Sequence, residues 1–198
     1  GFNPGGEKEI YTLEELIDVF DITKIHKGGA IFNDEKLAWM NKEHMRLQSS
    51  VTQLVNVQSY MKDYPVEMLE RLLPTIIDRI SSYGELSTID NTEFRFFIQQ
   101  PIPNVEKIVW KDSGKSEALK HLTAVKELLL GADFSSPEAV KLAIMGYAES
   151  NGKGNVLWPL RMTLSGQEKS VDPFTICYVL GRDEVVIRIE KACQLLSI

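Results

Sequence analysis

The sequence has little that would mark it for chemistry or for a membrane. It holds two cysteines, Cys177 and Cys193, both in apolar helical context. They read as small core residues in a reducing setting, which excludes a disulfide framework. The three histidines, His26, His44 and His121, lie far apart and show no metal-ligand spacing. No apolar run approaches the length needed to span a bilayer. No basic start followed by an apolar core suggests export, so a cytoplasmic protein without membrane contact is expected. Alternation of period two is almost absent, and internal repeats and low-complexity tracts are missing. Gly114-Lys115-Ser116 has the form of the end of a phosphate-binding loop. Val109 stands where its first glycine belongs, however, and no strand precedes it. Neither a nucleophile–base set nor a dinucleotide fingerprint is present, so the chain alone reads as a binding module without catalytic machinery.

What remains is an ordinary globular composition over 198 residues, 43% hydrophobic and 25% charged. The net charge of −6 argues against general nucleic-acid binding. Its distribution is uneven. Residues 1–100 carry 10 Lys and Arg against 16 Asp and Glu, and residues 101–198 carry 12 against 12. A local basic pocket in the second half stays compatible with this balance, whereas nonspecific tracking of phosphates does not.

The apolar spacing predicts helices throughout, with short loops that suit antiparallel neighbours. Residues 12–21 open on a capping box, Thr12 with Glu15, and Leu13, Leu16, Ile17 and Phe20 form the stripe to be buried. Gly28-Gly29 marks a loop. Asn33 caps a helix to about Leu47, with Leu37, Met40, His44 and Leu47 on one face. Ser50 and Gln53 form a second capping box. Pro65 opens a helix carrying Leu69, Leu72, Leu73, Ile76, Ile77 and Ile80, with a break or kink expected at Leu73 and Pro74 opening a new turn. Asp90 and Glu93 begin another, turning Phe94, Phe97 and Ile98 inward. Pro101 and Pro103 divide the chain into subdomains 1–104 and 105–198. Beyond a polar stretch at 111–116, Ser116 caps a helix with Ala118, Leu122, Val125 and Leu129 buried. Ser136-Pro137-Glu138 opens the next. The last helix runs over 182–196 with the stripe Val186, Ile189, Cys193 and Leu196. The fold class is therefore all-α, in two helical parts.

Residues 152–181 organise the chain. Pro159 reads as a first helical residue and Gly166 as a left-handed exit; Asp172-Pro173 reads as an N-cap with a first-turn proline, and Gly181 closes that segment. Two helix starts would then lie close together, with Arg161 in one first turn and Phe174 in the other. A cation and a ring beside exposed helix N-termini can hold an unstacked base and its phosphate. The same pattern is equally that of a packed helical corner with Arg161 on a solvated face.

The run Trp158-Pro159-Leu160-Arg161-Met162-Thr163-Leu164-Ser165-Gly166, with Gly152-Lys153-Gly154 before it and Pro173 and Leu180-Gly181 after it, resembles the C-terminal part of bacterial-type glutamyl-tRNA synthetases. A second resemblance lies at the other end, in Glu9-Ile10-Tyr11-Thr12-Leu13-Glu14-Glu15-Leu16, Phe20-Asp21, Ala30-Ile31-Phe32-Asn33, Lys36-Leu37-Ala38-Trp39-Met40-Asn41 and Arg46. The middle of the chain matches only in helical character. The resemblance implies two helical subdomains forming a cage around the anticodon loop of the glutamate tRNA. It implies a monomer with no DNA partner, inactive without the catalytic domain that uses ATP and magnesium. It points to Arg161 as an anticodon contact, to Asp172, Pro173 and Phe174 as a base pocket, to Arg79 as a second anticodon contact, and to Lys153 and Lys169 as phosphate contacts. A helical protein-interaction module is the alternative that the net acidity favours.

Overall fold

A computed structural model describes residues 2–26, 28, 32–111 and 113–198, the side chains of residues 90 and 91 excepted. Gly29 of the expected loop, Ala30 and Ile31 of the matched run, and Asp112 of the polar stretch lie outside the described residues. Eleven α-helices are described, in the order α1 Leu13–Val19, α2 Asp34–Leu47, α3 Ser50–Tyr60, α4 Val66–Arg79, α5 Leu86–Ile89, α6 Val105–Ile108, α7 Lys115–Leu130, α8 Pro137–Asn151, α9 Lys153–Ser165, α10 Pro173–Leu180 and α11 Arg182–Leu196. No strand occurs among the described residues. The all-α reading holds.

Local signals set most helix starts. Thr12 and Glu15 form the expected capping box, and Asn33 accepts from the Lys36 amide. Ser136 caps α8 with Pro137 at its first position, and Asp172 caps α10. Two caps fall one or two residues earlier than the sequence suggested. Ser49, not Ser50, accepts from the Thr52 amide, which leaves Gln53 to donate to the Met45 carbonyl at 2.8 Å. Gly114, not Ser116, precedes α7.

Neither interior proline breaks its helix. α4 runs through Pro74 because Pro74 and Glu70, whose carbonyl the ring frees, both face solvent, while Leu69, Leu72, Leu73, Ile76 and Ile77 are buried on the other side. α9 begins six residues before Pro159, where Gly152 turns the chain at φ 87°. A proline inside a helix costs about 3 kcal/mol. Val156, Leu160 and Leu164, spaced four apart and fully buried, offset it at about 1.5–3 kcal/mol each. Arg161 consequently lies deep in α9 and not in a first turn.

The core is continuous through α3 to α11. α7, α8 and α9 pack on one another, α11 packs on α7 and α9, and α10 bridges from them to α4. The expected helix after Asp90 is instead a π-turn Asp90–Phe94 that continues from α5 and a 3-10 turn Arg95–Phe97, an irregular path that buries Phe94, Phe96 and Phe97. In α11 the stripe is displaced: Val185, Arg188, Ile189, Ala192 and Leu196 are buried, and Val186 and Cys193 only partly so. The stripe of α1 is exposed. In α2 only Met45 is buried, with Leu37, His44 and Leu47 in solvent.

Gly154 has a packing role. A Cβ there would stand 2.5 Å from Trp110 Nε1. The Trp110 ring lies 4.9 Å from that of Trp158, whose Nε1 donates to the Lys107 carbonyl at 2.9 Å. Gly154→Ala is expected to destabilise despite alanine's helix propensity of about 1 kcal/mol, because overpacking costs about 1–3 kcal/mol. Urea unfolding should show a lowered midpoint; an unchanged or raised one would mean that the indole pair moves freely.

Candidate nucleic-acid interface

The site is built where α9 turns into α10. Gly166 ends α9 at φ 66°, and a Cβ on it would meet Pro101 Cβ at 2.8 Å. Both the left-handed backbone and the close approach favour glycine there. Ser165 Oγ donates to the Arg161 carbonyl at 2.8 Å and accepts from the Gln167 amide at 3.1 Å, which fixes the exit.

Arg161 then reaches forward over the loop 167–171. Its Nη1 donates to the Ser170 carbonyl at 2.9 Å, to Ser170 Oγ at 2.9 Å and to the Val171 carbonyl at 3.1 Å. Nε and Nη2 have no hydrogen-bond partner among the described residues. Burial lowers the pKa of this half-buried guanidinium, Asp172 raises it, and Arg79 lowers it. Arg79 from the first half of the sequence and Arg161 from the second thus share one electrostatic neighbourhood. Arg79 is held by an ion pair with Glu93, while Gln167 Nε2 donates to the Thr92 carbonyl at 2.8 Å and ties the loop to the same turn.

Asp172 does not leave the α10 N-terminus open. Its Oδ1 accepts from the Phe174 and Thr175 amides at 3.1 and 3.0 Å, and its Oδ2 from Thr175 Oγ1 at 2.6 Å. The exposed pair of helix starts expected from the sequence is absent: α9 starts elsewhere, and α10 is capped by its own carboxylate. Pro173 is buried, so it sets the helix entry and does not line a surface.

Asp172, Phe174 and Thr175 face the first turns of α8. With Pro137, Glu138 and Lys141 they enclose a cavity of about 320 Å³. Phe174 and Pro137 give it apolar walls, Asp172 and Glu138 supply acceptors, and Lys141 supplies a cation. That set suits a planar group with exocyclic donors better than a bare phosphate. A second hollow of about 480 Å³ continues along α8 past Leu142 and Met145 to Glu149 and Lys153. Lys153 sits at its far end, paired with Glu149 at 3.1 Å. Lys169 is exposed on the loop, with no partner among the described residues. Lys141 was not singled out from the sequence. It has no motif, and only its place one turn into α8, lining the cavity with Glu138, marks it as facing the site.

Among the described residues, no group of three or more His, Cys, Asp or Glu could hold a metal ion, and no helix is long and apolar enough to cross a membrane.

This helical scaffold, with a base-sized cavity between α8 and α10, is that of an anticodon-binding domain. Residues 36–193 match the family model described as "Anticodon binding domain", and the chain belongs to that family. Its relatives are glutamate–tRNA ligases. The chain is 29% identical over 203 residues to the glutamate–tRNA ligase of Bacteroides thetaiotaomicron, covering 100% of this chain and 39% of that one. It is 30% identical over 204 residues to the enzyme of Flavobacterium johnsoniae, covering 99% and 39%. Among solved structures, a glutamate tRNA ligase from Elizabethkingia meningosepticum in complex with its amino acid superposes with a TM-score of 0.80 at 27% identity, over 99% of this chain and 39% of the other. The chain therefore spans about two fifths of the length of these ligases and corresponds to their anticodon-binding part.

Proposed function

We propose that this chain binds the anticodon loop of the glutamate tRNA, the tRNA that a glutamate–tRNA ligase charges. The observation that carries the reading is the cavity between α8 and α10, lined by Asp172, whose charge acts on Arg161, inside a chain of the anticodon-binding family. Anticodon bases are unpaired and can be splayed into pockets, where an aromatic ring stacks on them and polar groups read their edges. Phe174 supplies the ring and Asp172 and Lys141 the polar contacts. Arg161 presents its remaining N–H groups to a neighbouring base, and Arg79 reads another from the first half. Lys153 and Lys169 contact phosphates at the two ends of the surface. Pro173 contributes by fixing the helix entry.

We further propose that the division at 104/105 separates two helical subdomains of an anticodon cage, and that one chain binds one tRNA as a monomer. The charging reaction, with its ATP and magnesium, belongs to the part of the ligases beyond this match. The residues described here do not fit that cofactor pair, since they offer neither a carboxylate cluster nor a glycine-rich phosphate loop. Ribonuclease probing of the bound glutamate tRNA tests the reading. Protection is expected over the anticodon loop. Protection confined to the acceptor arm would contradict it.

A further inference from the structure

Arg79 does not stand at the surface as a bare cation. It is the last residue of α4, and its Nη1 donates to Glu93 Oε2 in an ion pair whose side chains are 34 and 33% exposed. Its Nε and Nη2 have no hydrogen-bond partner among the described residues. Glu93 is fixed from both sides. It belongs to the π-turn Asp90–Phe94, and Phe94, the next residue, is fully buried. Thr92, the residue before it, donates from Oγ1 to the Ile89 carbonyl at 3.1 Å and accepts at its own carbonyl from Gln167 Nε2 at 2.8 Å. The carboxylate therefore stands on a turn anchored in the core and tied to the loop 167–171. Arg161 reaches over that same loop, and the charge of Arg79 acts on its guanidinium.

Two unopposed guanidinium groups beside one loop would attract any phosphate. Phosphate contacts carry no sequence information and are made equally with every RNA. A base edge differs, because it offers neutral donors and acceptors at fixed positions. A half-buried carboxylate bonded to Arg79 separates these two kinds of ligand. It cancels the net charge that draws a phosphate, and it repels a phosphate that approaches the pair. It leaves Nε and Nη2 of Arg79 to donate to a base edge. A repulsive element aimed at the wrong partner is a general route to specificity. The charge balance runs the same way, with 10 Lys and Arg against 16 Asp and Glu over residues 1–100, where this pair lies.

We propose that Glu93 is a specificity-determining residue of the RNA surface, acting through Arg79 to suppress phosphate contacts while base contacts stay available. The inference rests on the anticodon reading of this surface.

Glu93→Gln tests it, since glutamine keeps an acceptor for Arg79 and removes only the charge. The chain and the variant are titrated across salt concentrations with the glutamate tRNA and with the same tRNA carrying substituted anticodon bases. The variant should bind the substituted tRNA about five- to tenfold more tightly at about 50 mM salt, and the slope of log affinity against log salt should steepen by about 0.7, the increment for one more phosphate on a single strand. The glutamate tRNA should gain less, because Arg79 is already engaged with a base, so discrimination narrows. Glu93→Asp keeps the charge and should keep both slope and discrimination. The double variant Arg79→Gln, Glu93→Gln removes both charges, and its slope should return to that of the unaltered chain. Unchanged slope and discrimination in Glu93→Gln would overturn the proposal and leave the anticodon reading standing. So would a lowered unfolding midpoint with both tRNAs weakened alike, which would make Glu93 structural only. Absence of discrimination in the unaltered chain would count against the anticodon reading itself, and the proposal would fall with it.

Discussion

Arg188→Met should lower the stability of this chain by about 3 kcal/mol, toward the lower end of the range for breaking a buried charged network. Arg188 is 2% exposed in the middle of α11. Its Nη1 donates to the Leu164 carbonyl at 2.6 Å and to the Phe96 carbonyl at 2.9 Å, while Nε meets Glu184 at 2.8 Å. Burial lowers the guanidinium pKa, and the hydrogen bond and charge of Glu184 oppose that. One side chain thus joins the end of α9, the turn after α5, and α11. Methionine fills much of the volume but leaves both carbonyls buried without a donor. Lysine keeps the charge but not the fork, and should recover only part of the loss. Urea unfolding measures this directly: the midpoint should fall with little change in slope. A loss below about 0.5 kcal/mol, the range of ordinary surface substitutions, would mean that the network is dispensable.

Arg161→Ala should weaken binding of the glutamate tRNA by about 1–3 kcal/mol, the range for losing a bidentate base contact. Its loop bonds complicate the result, because the same guanidinium holds Ser170 and Val171 and so places Asp172. Ser170→Ala separates the two roles. It removes the hydroxyl that accepts from Arg161 and donates to the Val171 carbonyl, and leaves the free N–H groups of Arg161 in place. Base reading predicts that Arg161→Ala also narrows the difference between the native tRNA and one with a substituted anticodon, while Ser170→Ala does not. If both variants lose the same affinity with discrimination intact, Arg161 is a positioning residue only.

Features of local origin were legible in the sequence. Thr12, Asn33, Ser136 and Asp172 cap the helices they were expected to cap, and Gly166 exits α9 in the left-handed region, because a cap is satisfied within three residues. The stripe of α4 was legible for the same reason of spacing. What depended on distant packing was not. The proline rule put a break or kink at Leu73, ahead of Pro74, and a helix start at Pro159, but buried neighbours carry both helices through. An arginine on a helix reads as solvated, and nothing near Arg188 announces acceptors at Phe96 and Leu164. The stripe of α1 has correct spacing, yet spacing does not supply the surface that would cover it. At the site, Arg161 and Phe174 were read from two expected helix starts, of which the structure keeps only that of Phe174, and the pocket role of Asp172 came from the resemblance. Lys141 emerged only when α8 and α10 were brought together.

The most direct test of the central claim is titration of the purified chain with glutamate tRNA, beside the same tRNA carrying substituted anticodon bases. Binding should weaken on substitution. Equal affinity for both would contradict it, leaving only phosphate attraction between this chain and the tRNA.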